Sequence, residues 1–333
     1  MISSREVAKL AGVSQATVSR VLNGATNVRK ETKEKVEKAI AELHYRPNMI
    51  ARSLVMKKTK TIALISGDLE NPFYSEITTA IINLATKKGY NTMVYFDNQP
   101  NREEIYEHIV SNNVAGIIQS SINIDEPMYD FFSESGTPYI QINRKHKKAG
   151  NYVILNNVKA GKIAMDHLLQ LGHKQIGMIM GPTNVSTFLE RQEGCFQALC
   201  ERGIEIDQRY LKIVDTSAKE TEMAMYDLLS IQPQPTAVLC ATDQIALTAM
   251  DVSLKMGKCI PEDISLIGFD DIALASHQAI QLTSVAHNIH QMGEIAVNSL
   301  IHIIEGNIQQ GNYQQIKLEP HLAVRKTTSK PSY

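Results

Sequence analysis

Apolar positions along this chain keep two different periods. Through the first 45 residues they recur every three or four places: Val7, Ala8 and Leu10, then Val13, Val18, Val21 and Leu22, then Val36, Ile40 and Leu43. That spacing lines one face of a helix and predicts three short helices. The first runs over Glu6–Leu10, the second opens after Ser14, and the third covers Lys30–His44. Gly12 supplies the backbone freedom for a tight turn between the first two. The Ser14 hydroxyl is placed to cap the second helix. Gln15, Ala16, Ser19 and Arg20 fall off its apolar face and are open to a partner. Two short helices joined by a Gly-containing turn form a helix-turn-helix, whose second helix enters the DNA major groove. Glu31/Lys35 and Glu34/Lys38 add favourable pairs along the third helix. Pro47 ends the pattern, and Asn48 is placed to cap a short helix over Met49–Met56, followed by the basic stretch KKTK. A helix that short is marginal in water on its own.

From Thr61 the period changes. Short apolar β-rich runs (TIALIS, TMVYF, GIIQS, YIQIN, YVIL) alternate with amphipathic stretches at Tyr74–Lys88 and Arg102–Asn112. A second series follows: helix Lys159–Leu171, QIGMIM, helix Phe188–Arg202, YLKIV, helix Glu220–Leu229, TAVLC, helix Gln244–Met256 and ISLIGF. Strand–helix alternation of this kind predicts α/β lobes built on parallel sheets with right-handed crossovers. Ligands of such sheets bind beyond the strand C-termini, so a cleft between two facing lobes is the expected site. Gly67, Gly181 and Gly268 are read as strand-to-helix turns beside it.

Charge sharpens the division. Residues 1–60 carry 13 Lys/Arg against 5 Asp/Glu and the remainder 21 against 30, so a head of +8 sits on a body of −9. A basic head on an acidic body is the electrostatic footprint of a nucleic-acid-binding module. The four cysteines, at 195, 200, 240 and 259, show neither CxxC spacing nor a disulfide framework and are read as reduced and mostly buried. No signal-peptide pattern and no apolar run of membrane-spanning length occurs, which predicts a soluble, cytoplasmic protein. Phosphate-cradling loops, GxSxG, HExxH and paired-Cys motifs are absent. The 10 histidines lack ligand spacing. The expectation is a protein that is not an enzyme and needs no metal or cofactor.

Seven segments then appear in one family's order: REVAKLAGVSQATVSRVLNG, ELHYRPNMIARSL, NPFYSEI, LLQLGHKQIGMIMGP, PTAVLCATDQIALTAM, PEDISLIGFDDIALA and VRKTTS. Over essentially its whole length the chain resembles the LacI/GalR family of bacterial transcription regulators. The resemblance implies a helix-turn-helix head over residues 1–47, a hinge helix and linker over 48–60, and a periplasmic-binding-protein-like core over 61–333. The N-lobe would comprise 61–160 plus 292–320 and the C-lobe 161–290 plus 321–329, with crossings near Gly161, Ile289–Met292 and Glu319–Leu322. It further implies a homodimer, since no heptad tail follows VRKTTS, binding a palindromic operator with a central CG step.

By the same resemblance Gln15, Ala16 and Arg20 face base edges, while Ser14, Thr17, Ser19, Asn23, Arg29 and Asn48 contact or position the backbone. Leu54 matches the hinge leucine that wedges into the minor groove. An apolar wedge of this kind kinks the duplex. Arg29 stands where the family often has a capping Ser or Thr. For the effector, Arg191 and, from the opposite side, Asp270 match the ligand-binding pair. Phe73, Ser120, Asn143, Thr242 and His287 line the same cleft; Thr242 and His287 replace the more usual Asn and Gln. The function implied is a repressor whose operator affinity responds to a sugar-like molecule. A regulator answering to a protein corepressor and a solute-binding protein stand as alternatives.

Overall fold

A computed structural model describes residues 2–22, 25, 27–45, 59–97, 102–127, 129–307 and 312–332. The chain divides into two compact units, Met1–Thr59 and Lys60–Tyr333. The expected hinge helix, with Asn48 and Leu54, and the loop residue Asn23 lie outside the described residues.

Among the described residues the head contains three helices: α1 (Ser4–Ala11), α2 (Gln15–Leu22) and α3 (Lys30–Glu42). Glu6 turns back to accept from the Ser3 backbone N–H at 2.7 Å, half of a capping box. Gly12 ends α1 at φ 65°, the left-handed backbone that lets the chain reverse within three residues. Ser14 Oγ accepts from the Thr17 N–H at 3.2 Å and opens α2. Val7, Ala8, Val18, Val21, Val36 and Ala39 close over one another as a small core. Arg29 precedes α3 without a side-chain cap bond, so that helix starts on backbone geometry and on the Glu31–Lys35 pair at 2.8 Å.

The larger unit holds two six-stranded sheets. In the first, the order is β11 (Gln315–Leu318), β5 (Tyr152–Leu155), β4 (Tyr139–Ile142), β3 (Gly116–Gln119), β1 (Thr61–Ser66) and β2 (Asn91–Phe96), every pair parallel. In the second it is β12 (His321–Ala323), β10 (Thr283–Ala286), β9 (Ser265–Asp270), β8 (Ala237–Cys240), β6 (Ile176–Met180) and β7 (Leu211–Ile213), parallel except for β12 against β10. The two orders correspond strand for strand. α4 (Pro72–Lys87), α5 (Arg102–Ser111) and α6 (Tyr129–Glu134) belong to the first lobe. α7 (Asn157–Leu171), α8 (Ser186–Cys200), α9 (Ala218–Ser230) and α10 (Asp243–Lys255) belong to the second. α11 (Ile289–Ile304) follows β10 but packs on α4 and the first sheet.

The chain therefore crosses between lobes three times, after β5, after β10 and after β11. The first crossing falls at Asn156, ahead of Gly161. Asn156 caps α7 by accepting from the Lys159 N–H at 3.2 Å, and the whole helix then runs against α8. Gly161 sits inside α7, where a Cβ would collide with the Arg191 carbonyl, and Gly194 of α8 faces the Val158 carbonyl in the same way. Two helices meet here nearly backbone to backbone because neither carries a side chain at the contact. Gly268 is also not a turn residue: it lies within β9, and its missing Cβ makes room for the Asp243 carboxylate.

Of the cysteines, Cys195 and Cys240 are buried and Cys200 and Cys259 exposed, all four free. The reading of them as mostly buried thus holds for two. Among the described residues no helix is long and apolar enough to cross a membrane, and no group of three or more His, Cys, Asp or Glu side chains is placed to hold a metal ion.

Candidate functional site

On the head, packing decides which side of α2 faces outward. Val18 and Val21 are spent on the core, leaving Ser14, Gln15, Ala16, Ser19 and Arg20 exposed and Thr17 half-buried. Gln15 is anchored: its Nε2 donates to Ser4 Oγ at 2.8 Å, tying the start of the second helix to the start of the first. Ser14 Oγ and Thr17 Oγ1 lie 2.9 Å apart. Arg29 is exposed at the start of α3. The result is a polar ridge with one basic side chain, Arg20, at its C-terminal end.

In the larger unit a cavity of about 230 Å³ opens between the C-terminal ends of the two sheets. Its walls come from both lobes: Asp68, Asn71, Phe73, Tyr74, Asp97, Ser121, Asn143 and Arg144 from the first, Thr187, Phe188, Arg191, Thr216, Thr242 and Asp270 from the second. Five of the seven residues expected there meet at it. Ser120 and His287 do not. Ser120, just beyond the end of β3, is fully buried, and its hydroxyl donates to the Ile65 carbonyl at 3.2 Å. β3 ends at Gln119 and the chain bends at Ser120; the next residue, Ser121, takes the cavity position and donates to Asp97 at 3.0 Å. His287 lies behind Phe73, the ring centres 5.8 Å apart, with both ring nitrogens buried and without a hydrogen-bond partner among the described residues.

The electrostatic centre is Arg191, 1% exposed. Its Nε donates to Asn157 Oδ1 at 3.1 Å, Nη1 to the Ala241 carbonyl at 2.5 Å and Nη2 to Asp270 Oδ1 at 2.9 Å. The guanidinium carbon stands 4.6 Å from the centre of the Phe269 ring. The close α7–α8 approach brings Asn157 within reach of Arg191. Asp270 comes from β9 of the same lobe, and not from the opposite side of the cleft as expected. Burial pushes the Asp270 carboxyl above the ordinary carboxylate range, although the neighbouring guanidinium pulls the other way. The pair nearly neutralises itself and still faces the cavity, so it can offer remaining N–H groups and an acceptor oxygen to a ligand.

Burial also holds His287 neutral down to a pKa of about 3, helped by the nearby Arg191 charge. The unfolded chain takes up this proton below about pH 6.5 and the folded one does not. Stability therefore falls as pH drops through that interval, by about 2 kcal/mol between pH 7 and 5 from this residue alone. Urea unfolding of His287→Gln should show a shallower loss over the same range; an unchanged slope would place the titration elsewhere.

The two lobes build their halves of the cavity in the same way. Seven residues after Gly67 comes Tyr74, and seven after Gly181 comes Phe188; a Cβ on either glycine would overlap the ring that follows it. The Arg144 guanidinium lies 5.8 Å from the Tyr74 ring centre and 5.9 Å from that of Phe188, and it makes no ion pair among the described residues. Asn143 and Asp270 occupy matching ends of β4 and β9, and both have left-handed backbones, at φ 67° and 103°. Thr242 caps α10 by accepting from the Ile245 N–H at 3.1 Å while lining the cavity. Tyr74, Arg144 and Phe188 escaped the sequence reading, although the repeated Gly-plus-seven interval after two strands was visible there.

Comparison with known proteins accords with this anatomy. Residues 5–48 match the family of bacterial regulatory proteins, lacI family, and residues 165–328 match the periplasmic binding protein-like domain. The chain is 32% identical to the HTH-type transcriptional regulator CelR of Thermobifida fusca, covering 96% of each chain. It is 30% identical to the HTH-type transcriptional repressor PurR of Actinobacillus pleuropneumoniae, covering 98% of each. A lac repressor dimer bound to operator and the anti-inducer ONPF superposes with a TM-score of 0.87 at 28% identity, over 98% of this chain and 99% of that one. A CelR–cellobiose complex gives 0.75 at 30% identity, over 98% and 100%.

Proposed function

The chain belongs to the LacI family of bacterial regulatory proteins and is a DNA-binding transcription regulator, and from that premise we propose that a small polyhydroxylated molecule, a sugar or sugar derivative, binds between its lobes and sets its affinity for operator DNA. The observation that carries this reading is the buried Arg191–Asp270 pair facing a cavity walled by both lobes. Acceptor carboxylates at Asp68, Asp97 and Asp270 alternate there with Asn, Ser and Thr side chains and with the faces of Phe73, Tyr74 and Phe188. Carboxylates accept from hydroxyl groups, and aromatic faces stack on the C–H side of a ring. The volume lies below the ~300–1,000 Å³ of drug-sized ligand sites, which suits a compact ligand. A small-molecule effector also accords with the cellobiose bound to the similar CelR structure.

In this reading Phe73, Asn143, Arg191, Thr242 and Asp270 contact the effector, and His287 supports Phe73 from behind. The head reads one half-site through Gln15, Ala16 and Arg20, and a second copy of the chain reads the other, so the operator is a palindrome. Effector and operator affinities are then linked reciprocally. The test is titration of selected operator duplexes at fixed salt, with and without each of a panel of neutral sugars that includes cellobiose. The expected result is that one sugar shifts operator affinity at least tenfold, a coupling of about 1.4 kcal/mol or more. Operator affinity unmoved by every compound that binds the core would sink the coupling.

Arg20 gives a separate prediction for the head. Arg20→Ala should cost about 1–3 kcal/mol on the selected operator and relax the preference at one base pair of each half-site, the expected loss of a forked contact to guanine. Binding-site selection with the variant reads this directly. Equal weakening on all sequences would mark Arg20 as a phosphate contact.

A further inference from the structure

The lobe-to-lobe correspondence extends beyond the cavity walls. Nine residues after Gly67, Glu76 of α4 reaches across the cleft and accepts from the Ala273 backbone N–H of the second lobe at 3.0 Å. Nine residues after Gly181, Glu190 of α8 reaches the other way and pairs with Lys145 Nζ of the first lobe at 2.8 Å. Their targets also correspond: Ala273 stands three residues beyond Asp270, and Lys145 two beyond Asn143, the two left-handed residues at matching strand ends. From these contacts we propose that Glu76 and Glu190 are a matched pair of positioning residues, each holding the segment that carries the opposite lobe's cavity residue, and that the two act together to keep the cleft shut.

Three physical points support joint action. Each segment being held has a left-handed non-glycine backbone, a conformation that persists only where its surroundings impose it. Each contact is made to a carboxylate, and bonds of that kind are roughly twice as strong as neutral ones. The Lys145–Glu190 pair is also largely shielded, its side chains 27% and 19% exposed, so solvent screens it less than an open surface pair. Around it the Lys145 N–H donates to Ser186 Oγ at 2.9 Å, Thr187 Oγ1 to the Asn143 carbonyl at 2.9 Å and the Ile124 N–H to the Asn184 carbonyl at 2.8 Å. Exchanged by the correspondence between lobes, the two glutamates grip opposite sides of one cleft. Packed lobes behave as bodies with discrete arrangements, so releasing one side lets the other open.

The inference deepens the effector-site reading, yet its test needs no ligand, so the two can fail separately. Hydrogen exchange on the full chain follows three amides that bond across the cleft: Ala273 beside Glu76, and Lys145 and Ile124 on the Glu190 side. Glu76→Ala should speed exchange about tenfold at Ala273 and also at Lys145 and Ile124. Glu190→Ala should do the converse. Ile117 and Ala241, whose amides are bonded inside the sheets, should not change, and Glu76→Gln, which keeps an acceptor oxygen, should restore most protection at both places. Should the variants fail to fold, Lys145→Gln removes the same pair from its other partner and should speed exchange at Ala273 on the far side. Acceleration confined to the altered side, in either experiment, overturns the proposal.

Discussion

Arg191→Met should destabilise the larger unit by about 3–5 kcal/mol, the range for removing one member of a buried ion pair. The replacement is close in length, so packing changes little while three hydrogen bonds vanish. Asp270, 5% exposed, loses its ion-pair partner, and Asn157 Oδ1 and the Ala241 carbonyl lose a donor. Asp270 already sits above the ordinary carboxylate range through burial, and losing the guanidinium should push it further the same way. Urea unfolding at pH 7 reads the loss as a lowered midpoint. Adding Asp270→Asn to Arg191→Met should recover part of it, because the second change removes the stranded charge. Single and double variants of equal stability would show that no such charge was stranded. Both should lose any response of operator binding to sugar, since the effector reading assigns Arg191 and Asp270 to the ligand.

Gly161→Ala should lower stability although helix propensity argues for the opposite. An alanine in place of a mid-helix glycine normally gains about 1 kcal/mol. Here the added methyl has no space, because it would overlap the Arg191 carbonyl of α8. Either that backbone moves, or α7 slides away and takes Asn157 off Arg191. Overpacking typically costs about 1–3 kcal/mol, and a backbone obstacle yields less than a side chain would, so steric repulsion should win. Gly161→Val should do more, about 3 kcal/mol or beyond. The sign for the alanine variant decides: a raised thermal midpoint would mean that α7 and α8 are not in backbone contact at Gly161.

Much of the architecture was legible from the pattern of apolar residues. TIALIS, YVIL and TAVLC are short apolar runs bounded by polar residues, and they form β1, β5 and β8. Their neighbouring helices begin within a few residues of where periodicity placed them; α4 starts at Pro72 because Asn71 caps it, accepting from the Phe73 N–H at 3.1 Å. Strands at the second and third lobe crossings were not legible in the apolar pattern. β10 is the four-residue stretch TSVA, and β11 and β12 are four and three residues long. Such segments are too short for alternation to show, and they become strands only because a sheet edge offers them partners. α6, YDFFSE, is also short, and its apolar positions follow no clear helical stripe.

The sequence by itself determined the helix-turn-helix, the basic head on an acidic body, the strand–helix alternation and, through seven ordered segments, the family. These are local properties: each depends on residues within a turn or two of one another. Which polar groups meet was decided by tertiary structure alone. Ser121 and not Ser120 lines the cavity because the chain bends just beyond the end of β3. Arg191 and Asp270 stand 79 positions apart, and Glu76 and Ala273 197 apart. Such pairs meet only once the sheets have stacked their strands in order and two glycines have let α7 and α8 touch, for a hydrogen bond is fixed within a few tenths of an ångström, whereas an apolar pattern fixes only a face.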